Sequence, residues 1–161
     1  MARRDPMRKT SAVTWLLVLS VLAGCGTAKV AAEVAPAPID ITLTGDAKLN
    51  PDDRDQSLPT FVRLYQLRSS AKLATAEFDQ LYRQPKEALG EDLLSVEEVT
   101  LAPGKTVNRR LERDRNAKVL LAVAVVRRPS GMTWRVIVDL PPPGDPANLA
   151  FVVEGYRIIR K

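Results

Sequence analysis

Short apolar segments separated by turn residues constrain the fold of this chain more than any other feature of its 161 residues. The segment 39–44 alternates apolar and polar side chains, which is typical of a strand with one buried face. Further strand-like segments with turn signals between them follow at 61–68, 96–101, 107–111, 119–126, 134–140 and 149–159. Because these segments are short and numerous, they predict a mainly β fold, an antiparallel β-sandwich of about seven strands.

One stretch breaks the strand pattern. Between the second and third predicted strands, Ala74, Phe78 and Leu81 fall at helical spacing. Pro85 cannot continue that helix but suits the first turn of a second one. We therefore expect a short helical insertion at about 72–94. A single helical stretch also argues against a parallel βαβ architecture.

The amino terminus has the pattern of a lipoprotein signal. Four basic residues among the first nine precede an apolar run at 13–23, which is shorter than the roughly 20 residues that span a bilayer. The run ends in Leu-Ala-Gly-Cys, with Cys25 as the only cysteine. We predict that residues 1–24 are a cleaved signal peptide and that Cys25 carries a diacylglycerol and an N-acyl chain.

The residues after Cys25 predict how the domain is attached. The segment 25–38 is rich in alanine and ends in prolines, so we interpret it as the lipidated cysteine and a flexible tether, with the β-sandwich domain at 39–161. In many Gram-negative bacteria an aspartate directly after the lipidated cysteine retains the protein at the inner membrane. Here that residue is Gly26, which favours the outer membrane.

Composition excludes several classes of chemistry. The chain has no histidine, so a Ser-His-Asp triad, a Cys-His pair and a Cys/His zinc site are all impossible. Its net charge of +5 includes +3 from four basic residues and one acid in 1–24, which leaves about +2 for the mature protein. No aromatic-interleaved basic stripe or glycine-rich phosphate loop is present. We predict no enzyme activity, no nucleic-acid partner, no small-molecule substrate and no cofactor besides the lipid.

The segment 45–60 is the candidate recognition loop. It is long for a connection between two strands, since hairpin loops usually have 2–5 residues. It combines prolines, acids and Arg54 with Leu58, which we expect to be exposed. Two alternatives remain: a mobile surface loop, or a calcium site built on oxygen ligands from Asp46, Asn50, Asp52, Asp53 and Asp55. The spacing of those acids does not match an EF-hand.

An ordered set of motifs resembles the TssJ/VasD lipoprotein family of the type VI secretion system. The motifs are the lipobox, Leu-Asn-Pro-Asp at 49–52, Pro-Thr-Phe-Val-Arg-Leu-Tyr-Gln-Leu at 59–67, the helical segments at 78–82 and 89–94, Leu-Ala-Pro-Gly at 101–104 and Trp-Arg at 134–135. Many members carry a glycine and an Arg-Pro-Ser-Pro run after the Asn-Pro-Asp motif. This chain has Asp-Arg-Asp-Gln-Ser-Leu-Pro at 53–59 instead.

The resemblance implies a fold and a role. The fold is a transthyretin-like β-sandwich with a small helical addition. The role is a structural lipoprotein on the periplasmic face of the outer membrane, which binds the periplasmic C-terminal domain of the inner-membrane protein TssM and so anchors the membrane complex. In the family the loop between the first two strands contributes to that contact, and by position this implies Asn50, Pro51, Asp52, Asp53, Arg54, Asp55, Gln56, Ser57 and Leu58.

Two other functions are compatible with the residues. One is a different periplasmic lipoprotein that binds calcium, a glycan or another envelope protein on its sandwich. The other is a hydrolase or carrier of the transthyretin-like type, for which paired carboxylates such as Glu77 and Asp79 would have to serve as acid and base. The paired carboxylates lie in polar patterns beside lysine or arginine, which is typical of a solvated surface.

Overall fold

Eight β-strands in two sheets form the framework of the structure, a computed structural model that describes residues 34–161. The strands are β1 (Ile39–Gly45), β2 (Thr60–Leu67), β3 (Leu93–Leu101), β4 (Thr106–Leu111), β5 (Val119–Val125), β6 (Arg135–Asp139), β7 (Ala147–Glu154) and β8 (Arg157–Arg160). The first sheet has the order β4-β1-β7-β8 and the second β3-β2-β5-β6. The mainly β fold predicted from the sequence is confirmed.

The two sheets bury one common core between them. On β1 the predicted alternation is confirmed, since Ile39, Ile41 and Leu43 are buried and the polar residues between them are half-exposed. In the second sheet Val62 lies opposite Val99 and Ala124, and all three are buried. These apolar side chains belong to one continuous cluster, so the described residues have a core of their own.

The helical insertion lies between β2 and β3, as predicted. It contains α1 (Phe78–Arg83) and α2 (Pro85–Leu89), flanked by the 3₁₀ turns Ala71–Ala74 and Gly90–Asp92. A capping box between Glu77 and Gln80 begins α1, and Pro85 occupies the first turn of α2.

The insertion covers the outer face of the second sheet. The Tyr65 hydroxyl donates to the Leu81 carbonyl at 2.9 Å, and the Arg63 guanidinium lies 4.5 Å from the centre of the Tyr82 ring. This cover explains why β5 is buried on both faces, as its continuous apolar sequence indicates.

Two details of the strand pattern differ from the prediction. Five of the six strand pairs are antiparallel, but β1 and β7 run parallel, with Ile39 opposite Ala147. The proline-rich segment 141–146 brings the chain back to the end of the sandwich where β1 begins, so β7 starts there as well. The expected single strand 149–159 is divided by a turn at Gly155, whose φ of 54° suits glycine, and this turn creates the eighth strand.

The predicted tether is described only at its last residues. The Ala37 N–H donates to the Pro143 carbonyl at 2.6 Å, which fixes the end of the tether beside β1. The signal peptide at 1–24 and Cys25 lie outside the described residues. Within 34–161, no helix has the length and apolar character needed to cross a membrane.

Candidate functional site

The loop between β1 and β2 has a fixed conformation in the structure. The Asn50 N–H donates to the Gly155 carbonyl at 2.8 Å, and the Leu58 N–H donates to the Leu49 carbonyl at 3.1 Å. The Leu49 side chain is fully buried and so anchors the loop in the core. These backbone bonds and the burial of Leu49 argue against the alternative of a mobile surface loop.

Asn50 connects the loop to the turn between β5 and β6. Its side chain is only 5% exposed, and its Oδ1 accepts the Arg127 N–H at 2.9 Å. Its φ of 45° lies in the left-handed region, which asparagine tolerates better than most residues. The neighbouring Pro51 carbonyl accepts the Tyr156 hydroxyl at 2.7 Å, which adds a bond to the turn between β7 and β8.

The tip of the loop holds its own shape. Asp52 Oδ1 accepts the N–H groups of Arg54 and Gln56, each at 2.8 Å. These bonds, with the Gln56 N–H as the larger cause, hold the pKa of the Asp52 carboxyl below its usual value. The Asp52 N–H in turn donates to the Gln56 carbonyl at 2.9 Å, so the tip is a closed turn of backbone and carboxylate bonds.

Asp53 joins the tip to two arginines of the β5–β6 turn. Its Oδ1 accepts a hydrogen bond from Arg128, and its Oδ2 lies 3.6 Å from a terminal nitrogen of Arg127. The Arg128 guanidinium also lies 5.9 Å from the centre of the Tyr156 ring. These groups are exposed, so each contact is worth about 1 kcal/mol or less. Their combined effect is to orient the tip rather than to stabilise the fold.

The predicted site residues divide by burial into three groups. Asn50 is buried, while Pro51, Asp52, Ser57 and Leu58 are half-buried. The exposed members are Asp53, Arg54, Asp55 and Gln56, and these four form the tip surface. Leu58, which we expected to be exposed, is half-buried, and its N–H donates to the Leu49 carbonyl. The tip surface is therefore the part of the loop that a partner can reach.

Three of the four acids in the loop bond to other groups of the protein. Asp46 Oδ1 accepts the Lys48 N–H at 2.8 Å, and Asp52 and Asp53 are engaged as described above. In residues 34–161 no group of three or more acidic, histidine or cysteine side chains is arranged to hold a metal ion. The geometry thus gives the calcium alternative no assembled ligand set among the described residues.

A concave surface lies on the outer face of the first sheet. This cleft has a volume of about 510 Å³ and is lined by residues of β1, β4 and β7. Its charges compensate each other, since Arg110 donates to both Asp40 oxygens at 2.7 and 3.0 Å. The pairing holds the pKa of Asp40 below its usual value, mainly through the hydrogen bond. Thr42 and Asn108 are likewise bonded to each other, at 3.0 Å.

Sequence reasoning missed the residues that hold the loop. These residues, Arg127, Arg128 and Tyr156, are far from the loop in the chain. A local sequence pattern cannot predict a contact between two segments so far apart. The sequence did contain one indication of this contact. The segment 52–55 holds three aspartates, and the predicted turn after β5 holds two adjacent arginines of opposite charge, Arg127 and Arg128. That complementarity could have suggested contact between the two segments.

Comparison with known families identifies the chain. A family model described as "Type VI secretion lipoprotein, VasD, EvfM, TssJ" matches residues 37–154, which is more than two thirds of the sequence. The chain belongs to the type VI secretion lipoprotein family. The resemblance predicted from the sequence motifs is confirmed, and with it the role as a lipoprotein component of the type VI secretion system. Among curated proteins, none matches the chain significantly.

Solved structures of type VI secretion lipoproteins share the fold. The chain is similar to the lipoprotein TssJ1 of Pseudomonas aeruginosa, with 26% identity and a TM-score of 0.68 over 78% of this chain and 97% of that one. It also resembles the membrane-bound component Lip of Serratia marcescens, with 23% identity and a TM-score of 0.69 over 78% and 98% of the two chains.

A third match comes from a solved assembly. The chain is similar to one in a structure described as "Type VI membrane complex", with 23% identity and a TM-score of 0.70 over 78% and 98% of the two chains. The architecture of two four-stranded sheets is therefore that of type VI secretion lipoproteins. A structural role, rather than catalysis, is what the family is known for.

Proposed function

We propose that this type VI secretion lipoprotein is lipidated at Cys25 and lies on the periplasmic face of the outer membrane. There it binds the periplasmic C-terminal domain of a TssM-like inner-membrane protein through the loop Asn50 to Leu58. The observation that carries the proposal is the fixed conformation of this loop, whose exposed tip surface is presented by bonds to two other turns.

The position of the loop fits an anchored domain. The strand β1 begins at the end of the tether and finishes at the loop. Its seven residues rise about 3.3 Å each, which separates the two by roughly 20 Å. The loop therefore lies at the end of the sandwich opposite the end that joins the tether. A tether that extends up to about 3.5 Å per residue would let the loop point away from the membrane.

The partner is supported by similarity to proteins of known assembly. One matching chain, with 22% identity and a TM-score of 0.66 over 77% of this chain and 97% of that one, comes from a structure described as "T6SS protein TssM C-terminal domain (869-1107) from EAEC". Binding through a preformed loop would also lose little conformational entropy, which favours affinity for a given contact area.

The binding test uses soluble protein from residue 26 and the periplasmic domain of the TssM-like protein from the same cell. Calorimetry should show saturable binding, and Arg54→Glu on the exposed tip surface should weaken it severalfold. A matched control is Arg83→Glu on α1, where another exposed arginine is reversed at a distance from the loop. No binding between the two folded wild-type proteins would refute the proposed partner. Equal effects of the two variants would refute the proposed surface.

The anchor is tested separately. Cys25→Ser should abolish labelling with a radioactive fatty acid and release the protein from membranes in a carbonate wash, since the lipid would be the only attachment. A mutant that stays bound to washed membranes without its partner would place the anchor elsewhere.

The membrane assignment has its own test. Wild-type protein should sediment with the outer membrane in a sucrose gradient, and Gly26→Asp should move it toward the inner-membrane fraction. Wild-type protein in the inner-membrane fraction would contradict the outer-membrane location, whatever its partner.

A further inference from the structure

An exposed apolar pair lies on the outer face of the second sheet, beside the loop. Phe61 on β2 is directly opposite Val125 on β5. Phe61 is 43% exposed, and Val125 is half-buried. The side chain across from Phe61 on the other neighbouring strand is the exposed Thr100. We call Phe61 and Val125 the apolar pair.

The helical insertion leaves this pair uncovered although it covers the rest of the same two strands. Tyr65 and Leu121 face each other further along the sheet, and both are fully buried beneath the insertion. Val123, one step closer to the loop, is also fully buried, beside the stacked Arg63 and Tyr82. The cover ends there, so the last row of the face remains open to solvent.

The apolar pair and the loop form one continuous surface. Only Pro59 and Thr60 separate Leu58 from Phe61 in the chain. The Thr60 hydroxyl donates to the Val125 carbonyl, which ties the start of β2 to the end of β5. Two residues after Val125, the Arg127 N–H donates to Asn50 of the loop. The loop and the pair therefore keep a fixed relative position.

We propose that the partner that binds the loop also covers the apolar pair with an apolar side chain of its own. This inference rests on the proposed function, since it assigns a second contact to the same partner. A cross-strand aromatic–aliphatic pair also stabilises a sheet by itself, so exposure alone does not distinguish the two roles. What favours a contact is the continuity of the pair with the loop, because aromatic side chains that a partner buries contribute a large share of interface energy.

The test compares two equally exposed side chains on the same face. Ile137 on β6 is 43% exposed, as Phe61 is, but it lies opposite Leu121 and away from the loop. Phe61→Thr and Ile137→Thr both place threonine, a residue that strands favour, at the substituted position. Covering the exposed part of a phenylalanine contributes enough that its loss weakens binding about tenfold. We expect that loss in calorimetry with the TssM-like periplasmic domain for Phe61→Thr and none for Ile137→Thr.

The variants also separate this inference from the proposed function. Binding that is weakened by Arg54→Glu but unchanged by Phe61→Thr would overturn the second contact and leave the loop contact in place. Equal weakening by Phe61→Thr and Ile137→Thr would also overturn it, because the effect would then be general to the sheet. Absence of wild-type binding would refute the proposed function itself. Urea unfolding of each variant checks that the fold is retained, and Phe61→Leu, which keeps an apolar side chain, should retain most of the affinity.

Discussion

Replacing Asn50 by alanine should remove the bond that holds the loop to the β5–β6 turn and should destabilise the domain. The change removes the Oδ1 that accepts the Arg127 N–H at 2.9 Å, and an unsatisfied, partly buried N–H costs about 1–3 kcal/mol. It also places a Cβ-bearing residue without a compensating side-chain bond at φ 45°, which costs about 1 kcal/mol. We expect Asn50→Ala to lower the free energy of unfolding by about 2–4 kcal/mol.

Two further substitutions at this position separate the causes. Asn50→Gly also lacks the acceptor but adopts the left-handed conformation freely, so it should be less destabilised than the alanine variant by about 1 kcal/mol. Asn50→Asp keeps an oxygen acceptor and tolerates the same φ, so it should stay closest to wild type.

Urea unfolding of the soluble protein measures these differences. Trp134 is the only tryptophan after residue 26, and its side chain is buried at the end of the β5–β6 turn, so its fluorescence reports on the region to which Asn50 is bonded. The midpoints should fall in the order Asp, Gly, Ala with unchanged slopes. Equal midpoints for all three variants and wild type would refute the conclusion that this side chain fixes the loop.

Three other changes test separate parts of the structure. Gly45→Ala should destabilise the fold by about 1–3 kcal/mol in urea unfolding, because an added Cβ would lie 2.5 Å from the Ala102 carbonyl oxygen. Arg113→Met should lower the unfolding free energy by about 2 kcal/mol, since it removes the guanidinium that bonds three backbone carbonyls, and Arg113→Lys should not restore it. Asp52 has a lowered pKa in the fold, so the stability it contributes is present above about pH 4, the range of the unfolded carboxyl, and is lost as the pH falls through the lower folded pKa. Asp52→Asn should therefore flatten the acid limb of a stability–pH curve, and an unchanged limb would contradict that role.

Local sequence pattern predicts the elements whose cause is local. The alternation over 39–44 indicates one buried face, and β1 has it. Pro85 indicates the start of a second helix, and α2 begins there. These outcomes follow from side-chain spacing and backbone chemistry within a few residues, which a sequence displays directly.

Pattern fails where distant segments decide the outcome. The parallel pairing of β1 with β7 depends on where the chain returns after the prolines at 141–146. The periodicity of apolar residues carries no information about that path. The run 149–159 is apolar on both sides of Gly155, so in the sequence it looks like one long strand and the turn is not apparent. The loop is the clearest case, because length and composition predict its location while its conformation is set by bonds from Arg127 and Tyr156.

The charge arrangement of the tip surface bears on how an anchored protein meets its partner. The three carboxylates of Asp52, Asp53 and Asp55 are balanced by the three guanidinium groups of Arg54, Arg127 and Arg128, so the tip has little net field at a distance. Electrostatic steering, which needs a patch of one sign, therefore contributes little to the encounter. The proposed lipid anchor would compensate for the weak steering, because confinement beside the membrane would raise the local concentration of the loop. In the proposed complex the charged tip side chains would act at contact distance, where a mismatched charge on the wrong partner is costly. It follows that moderate salt should change the association rate only slightly, whereas loss of the anchor should reduce complex assembly in cells without changing the affinity of the isolated domains.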